Sequence, residues 1–358
     1  MSKTIAIAGA GIMGRLLALA FHRRGWQVSL FDRDDGSART SCSWAAVGML
    51  AASGSQGAGQ TIAELGAYGI EQWPAWLETL PRPVYYRQNG TLAIAHPKDE
   101  HLLDELASNT MSAFYDDRSV SELDSKSISN LEPSLNDRFK RGFYFSREQN
   151  IDNRELLNVL GESIRSSGIT WHTQTEVSSV SEHEITTARG SDKFEWVVDC
   201  RGLGAKSAMP DLHGVRGEMI YLRAPAVKIS RPVRIMHPRY CIYIAPRADH
   251  VYAIGSTSEN IESGSTISVR STLELLSAAY TVHPGFGDGE VLETVVNFRP
   301  ALPNQLPLII PRQGLVSVNG LHRFGFLVAP ALCDIVVAFI DNGETHPLSH
   351  GIMEEWSL

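Results

Sequence analysis

The stretch that most constrains the fold runs from Lys3 to Asp35, KTIAIAGAGIMGRLLALAFHRRGWQVSLFDRDD. Ile5, Ala6, Ile7 and Ala8 form an unbroken apolar run, which suits a parallel strand buried on both faces. Gly9, Gly11 and Gly14 follow in GxGxxG spacing. The first permits a tight turn, the second lets backbone approach a pyrophosphate, and the third lets a helix pack closely on the strand. Ile12, Leu16, Leu19 and Ala20 recur at helical spacing, and Gly25 is placed to end that helix. A pyrophosphate would sit on the free N–H groups at its N-terminus. WQVSLF then reads as a second strand ending at Asp32, where an acid accepts hydrogen bonds from ribose hydroxyls. Arg33 reads as a solvated loop residue, with a 2′-phosphate contact as the alternative. The unit predicts a dinucleotide site and leaves nicotinamide and flavin both open.

At 358 residues the chain is too long for one ordinary core and comfortable for two. Its net charge of -8 disfavours general affinity for nucleic acid or anionic membrane, while leaving room for a basic pocket. Cys42, Cys200, Cys241 and Cys333 form no CxxC pair, so neither a zinc site nor a disulfide framework is expected. None of the histidines falls in an HExxH arrangement, and no metal is expected. Reduced thiols and the lack of a signal-peptide pattern fit a cytoplasmic protein. No run approaches the ~18 apolar residues of a membrane span, and none is expected.

The GIMG phrase also occurs in NAD-dependent hydroxyacid dehydrogenases, whose C-terminal halves are all helical, so the rest of the chain is the test. TSCSWAAVGMLAASGSQGAG, from Thr40 to Gly59, is almost uncharged and small enough in side chain to let backbone approach something flat. A flexible linker is the alternative, against which Trp44, Met49 and Leu50 argue. VYYRQNGTLAIA has Asn89-Gly90 between β-rich runs and predicts a hairpin. A helix is expected around DEHLLDELASN, and another, capped by Asp152 or Asn153, leads into a strand at ITWHTQTEV. EWVVDCRGLGAKS predicts a buried strand ending in a glycine pair, placed to touch the same nucleotide. RPVRIMHPRY and CIYIAPRADHVYAIGSTSE predict antiparallel strands, and the tail predicts a strand, a glycine loop and an apolar helix from Pro330. Nucleotide-binding texture at both ends and in the middle, interrupted twice by strands, disfavours the dehydrogenase reading.

Together these segments resemble the D-amino-acid oxidase superfamily of flavoproteins, and within it the glycine oxidase branch used in thiamine biosynthesis. GAGIMG…FDR resembles the family's ADP-binding turn, SCSWAAVGML its flavin loop, and YYRQNGTLAIA the start of its substrate domain. VVDCRGLGAKS, GVRGEMI, YIAPRADHVYAIGST, NFRPALPNQLPLI and NGLHRFGFLVAP are similar to later family motifs, in the family's order. The sequence departs from the pattern at Arg201, at Asn304 and at Leu321, His322 and Phe324.

The resemblance implies an α/β protein in which an antiparallel-sheet substrate domain (81–149 and 213–305) is inserted into a discontinuous Rossmann-type FAD domain (1–80, 150–212 and 306–358). It implies non-covalent FAD held by Gly9, Gly11, Ile12, Met13, Gly14, Asp32 and Arg33. Ser43, Ala45, Ala46, Gly48 and Met49 follow from the flavin loop, then Val177, Cys200 and Gly202. Arg323, Phe324, Gly325, Phe326 and Leu327 close the set. Cys333 lies in the right region for covalent attachment but reads as core. Arg299 stands where the family binds the substrate carboxylate, and a guanidinium fork matches two carboxylate oxygens; a salt bridge to a protein acid is the alternative. Tyr243 matches a tyrosine that assists, and because Tyr240 is three residues away at most one of the two should enter the pocket. His322 is expected either to face substrate or to be structural. The implied reaction is hydride transfer from a small amino acid or amine (glycine, sarcosine or a small D-amino acid) to flavin, without a dedicated base. Reduced flavin would pass electrons to dioxygen, giving hydrogen peroxide. A quinone or protein acceptor, and a flavoprotein that has lost turnover, are the alternatives, and a homo-oligomer is left open.

Overall fold

The computed structural model describes residues 3–52, 59–111 and 119–355. The end of the low-charge stretch, 53–58, therefore lies outside the described residues. In chain order, β1 (Thr4–Ala8), α1 (Ile12–Arg23) and β2 (Gln27–Phe31) precede β3 (Met49–Leu50) and α2 (Gly59–Glu78). Then come β4 (Tyr86–Arg87), β5 (Thr91–Ala95), α3 (His101–Met111), β6 (Val120–Asp124), α4 (Ser125–Leu131), β7 (Arg141–Phe145) and β8 (Gln149–Ile151). Next are α5 (Asn153–Ser166), β9 (Thr170–His172), β10 (Val177–Ser181), β11 (Glu184–Thr187), β12 (Gly190–Lys193) and β13 (Trp196–Asp199). The meander β14 (His213–Arg223), β15 (Val233–His237), β16 (Tyr240–Pro246) and β17 (Val251–Gly255) leads to α6 (Val269–Val282) and β18 (Glu290–Ala301). The chain closes with β19 (Leu308–Arg312), β20 (Leu315–Asn319) and α7 (Gly325–Asn342).

Two large sheets result. A six-stranded sheet runs β19-β20-β13-β1-β2-β9, parallel except for the β19–β20 pair, and is the Rossmann-type layer. An eight-stranded sheet runs β18-β14-β17-β16-β15-β5-β7-β6, antiparallel except where β5 joins β15. The Asn89-Gly90 turn does not make the expected hairpin: β4 pairs with β8 in a small third sheet, while β5 joins the large antiparallel one. The bend is held from outside, because the Asn89 amide donates to the Ser230 carbonyl at 3.0 Å and the Tyr144 hydroxyl donates to the Asn89 carbonyl at 3.1 Å. Of the two candidate caps on α5, Asp152 accepts from the Arg154 and Glu155 amides.

The last helix corrects two expectations. It begins at Gly325, not Pro330, so Pro330 lies inside it. A proline there cannot donate to the Phe326 carbonyl one turn earlier, and the Trp73 indole of α2 donates to that carbonyl instead, at 2.9 Å. Trp73→Phe should leave this carbonyl unpaired in the core and cost about 1–3 kcal/mol, read as a lower denaturation midpoint. The segment His322–Asn342 is also long and apolar enough, by length and composition, to cross a membrane. Most of it is buried within the protein, where α7 packs between α1 and α2 in the main core.

Candidate active site

A cavity of about 950 Å³ opens between the two large sheets at the carboxyl ends of β1, β2, β13 and β20. That is the upper end of the ~300–1,000 Å³ typical of ligand pockets, placed where α/β sheets bind ligands.

At its nucleotide end, Gly9 takes φ +98°, and a Cβ on Gly14 would lie 1.8 Å from the Gly9 carbonyl oxygen. The turn and helix therefore close only with glycine at both positions. Asp32 accepts from the Ala10 amide and from the Asp34 amide at 2.7 Å, fixing its carboxylate beside the turn. Arg15, only 1 % exposed, donates to the carbonyls of Ala10, Leu157 and Gly36 at 2.7–3.0 Å and lies over the Trp171 ring. Burial pushes its pKa down to about 10. Three carbonyls thus satisfy the charge while it ties the turn to α5 and to the loop after β2.

The low-charge loop is held as backbone. The Ile12 amide donates to Ser43 Oγ at 3.1 Å, and Asn153 Nδ2 donates to the Ser43 and Trp44 carbonyls at 2.9 and 3.0 Å. Asn150 donates to the Gly48 carbonyl at 3.0 Å, and buried Arg247 donates to Asn150 Oδ1 at 2.8 Å and to the Val47 carbonyl. Gly48 sits at φ +69°, where a Cβ would come within 1.9 Å of the Ile151 carbonyl oxygen. A flexible linker is excluded for the described part, since side chains from β8, α5 and the turn before β17 hold its carbonyls.

The opposite end is cationic. Arg299, Arg323 and Arg234 all line the wall, and Arg234 lies over the Tyr243 ring at 4.5 Å. Arg299 donates from Nη2 to Ser256 Oγ and to the Thr257 carbonyl at 3.1 Å, and forms no ion pair with a protein acid among the described residues. Burial first, then Arg323, pushes its pKa down to about 10, so it stays charged at neutral pH. His322 takes φ +48°, and both ring nitrogens are buried without a hydrogen-bond partner among the described residues. Burial, then Arg299, Arg323 and His213, pushes it down to about 3, leaving a neutral ring. Between about 3 and 6.5 an unfolded chain binds a proton here that the folded chain does not. This residue's contribution to stability is therefore complete above pH 6.5 and lost as pH falls. His322→Asn should flatten the acid side of the stability–pH curve, and a curve as steep as the parent's would contradict this.

Most residues expected at the site meet on this wall: Gly9, Gly11, Ile12, Met13, Asp32, Arg33, Ser43, Ala45, Ala46, Gly48, Met49, Cys200, Gly202, Tyr243, Arg299, His322, Arg323, Phe324, Gly325 and Phe326. Three do not. Gly14 acts behind the turn, Leu327 packs on Gly66 and Gly69 of α2, and the Val177 carbonyl accepts from Arg201 at 2.8 Å. Arg201 itself reaches the wall, its charge matched by a two-pronged pair with buried Asp199 at 2.8–2.9 Å. Tyr240 and Tyr243 both contribute to the wall, against the expectation of one: Tyr240 opens β16 at the β15–β16 turn, where Arg239 and Glu274 also line the cavity. Sequence reasoning missed Arg15 and Arg234, each a charge in a mostly apolar helix or strand, a signal that could have found them.

The geometry fits a dinucleotide: a turn closed by glycines, the N-terminus of α1, a fixed carboxylate after β2, and a backbone-lined slot beyond. The comparisons name the cofactor. Residues 4–339 match the model of the FAD dependent oxidoreductase family, DAO. The chain is 35% identical over 329 residues to a Rhizobium etli oxidoreductase assigned by name to thiamine biosynthesis, ThiO, covering 92% of this chain and 93% of that one. It is 24% identical to the glycine oxidase of Pseudomonas aeruginosa, over 96% of both chains. The crystal structure of glycine oxidase from Geobacillus kaustophilus superposes over 100% of both chains with a TM-score of 0.84 at 22% identity. With the family match spanning nearly all of its length, this chain belongs to the DAO family of FAD-dependent oxidoreductases.

Proposed function

We propose that the protein oxidises glycine or a similarly small amino acid or amine, with dioxygen as the electron acceptor and non-covalent FAD as cofactor. The carrying observation is Arg299: a charged guanidinium on the cavity wall that no protein acid neutralises among the described residues. Bound FAD supplies the hydride acceptor and the onward path of the electrons. The chain's own residues do the rest. Arg299 grips the carboxylate and sets the distance of the α-carbon, and the Tyr243 hydroxyl is the second donor. The neutral His322 ring accepts a hydrogen bond from the substrate amine. An ammonium beside Arg299 and Arg323 loses its proton more readily than in water, so this end favours the neutral amine from which a hydride can depart. The absence of Cys333 from the cavity wall supports non-covalent FAD. Four free cysteines support a cytoplasmic setting.

The test is anaerobic: mix FAD-loaded protein with glycine, sarcosine, D-alanine, D-proline and L-proline and follow flavin absorbance. Bleaching by one of them, reversed by air, is the expected result. Bleaching that air does not reverse points to a quinone or protein acceptor, and no bleaching by any of the five sinks the substrate assignment.

A further inference from the structure

Arg299 does not orient itself. It stands on β18, where it faces Val215 across the ladder while Asn297 faces Gly217. Its guanidinium leans along the strands onto Gly217. A Cβ there would lie 2.5 Å from Nη2, 2.7 Å from Cζ and 2.9 Å from Nη1, closer than real Cβ atoms come. A glycine inside a strand weakens it, and its usual reason is the close approach of another group. Here that group is the planar head of the arginine.

The residues on either side complete the seat. The Arg216 carbonyl accepts from Arg299 Nη1 at 3.5 Å. Arg216 pairs with Glu218, which is fully buried, and donates to the carbonyls of Gly264 and Thr266, each at 2.7 Å. The Glu218 amide donates to Thr257 Oγ1 at 3.0 Å, and the Thr257 amide donates to the Glu218 carbonyl at 3.1 Å. Thr257 and its neighbour Ser256 are the acceptors that hold Arg299 Nη2. Three consecutive residues of β14 thus provide a slot for the guanidinium, one acceptor for it, and the anchor for Thr257, another acceptor.

We propose that Gly217, which is not on the cavity wall, is the positioning residue for the carboxylate-binding arginine. The inference rests on the carboxylate reading of Arg299. Because the obstructed atoms are the far end of a flexible side chain, a methyl group at 217 moves the guanidinium and leaves the sheet standing. The fork then points away from the carboxylate.

The experiment is a double-mutant cycle on FAD-loaded protein, with acetate as a probe that has the carboxylate but no amine, and the flavin spectrum as readout. Gly217→Ala should weaken acetate binding and raise KM for glycine by about tenfold or more, since a 1 Å misplacement is enough for such losses. Arg299→Lys should weaken acetate binding alone, and adding Gly217→Ala to it should change little, because a lysine has no planar head to strike. Losses that multiply independently in the double variant overturn the inference. So does Gly217→Ala with parental acetate affinity, and if Arg299→Lys is then impaired the carboxylate reading itself survives. If Arg299→Lys binds acetate as the parent does, that reading fails and takes the inference with it. Should Gly217→Ala fail to retain FAD, the double variant decides: recovery of FAD with the acetate affinity of Arg299→Lys supports the clash, and continued failure overturns it.

Discussion

Arg299→Ala is expected to lower kcat/KM for glycine by roughly a hundred- to several-thousand-fold, the equivalent of the about 3–5 kcal/mol lost when one partner of a buried, hydrogen-bonded charge pair is removed. The loss should fall mainly on KM and on the affinity for acetate, because the proposed contact is with the end of the substrate that does not react. FAD content should be unchanged, since the arginine binds Ser256 and Thr257 and none of the glycine turn. Burial already weakens this guanidinium's hold on its proton, so an incoming carboxylate relieves an existing cost. Steady-state kinetics with an acetate titration settle the matter. A variant whose acetate affinity matches the parent's would mean the carboxylate is held elsewhere, with Arg234 and Arg323 next in line.

Gly14→Ala is expected to abolish stable FAD binding. The added carbon would overlap the Gly9 carbonyl oxygen at 1.8 Å and approach Cys200 Sγ at 3.2 Å, both part of the frame under the nucleotide. Neither is a flexible tip. Relief requires moving α1 away from β1, which draws the amides of the helix start away from the pyrophosphate. Overpacking of this kind costs about 3 kcal/mol or more, or roughly a hundredfold or more in the dissociation constant. Titration of the apoprotein with FAD measures it, and parental affinity would show that the turn is not where the nucleotide lies.

Much of this site was legible because its signals are local. A glycine spacing between an apolar strand and an amphipathic helix specifies its own turn, whatever surrounds it. Arg299 stood where the resemblance places a carboxylate-binding arginine, and a charge between Phe298 and Pro300 must find an anion or be satisfied by neutral groups. The errors came where distant segments decide. Asn89-Gly90 has hairpin chemistry, yet its bend is held by Ser230 and Tyr144, so its two arms enter different sheets. Pro330 reads as a helix start until Trp73 supplies the donor that lets the helix begin earlier. The expectation that no run approaches the length of a membrane span also failed, because Leu, Val, Ile and Phe on both sides of Asp334 keep the mean hydropathy of His322–Asn342 high despite the charge.

The sequence by itself determined the nucleotide turn, the class of fold, and the presence of a charge, Arg299, in a mostly apolar segment. These depend on bond geometry, side-chain volume and charge within a few residues. The tertiary structure alone decided where that arginine aims. Its plane is set by a glycine two ladder positions away on β14 and by two acceptors after β17, groups that hydrogen bonding between strands brings together from far apart in the chain.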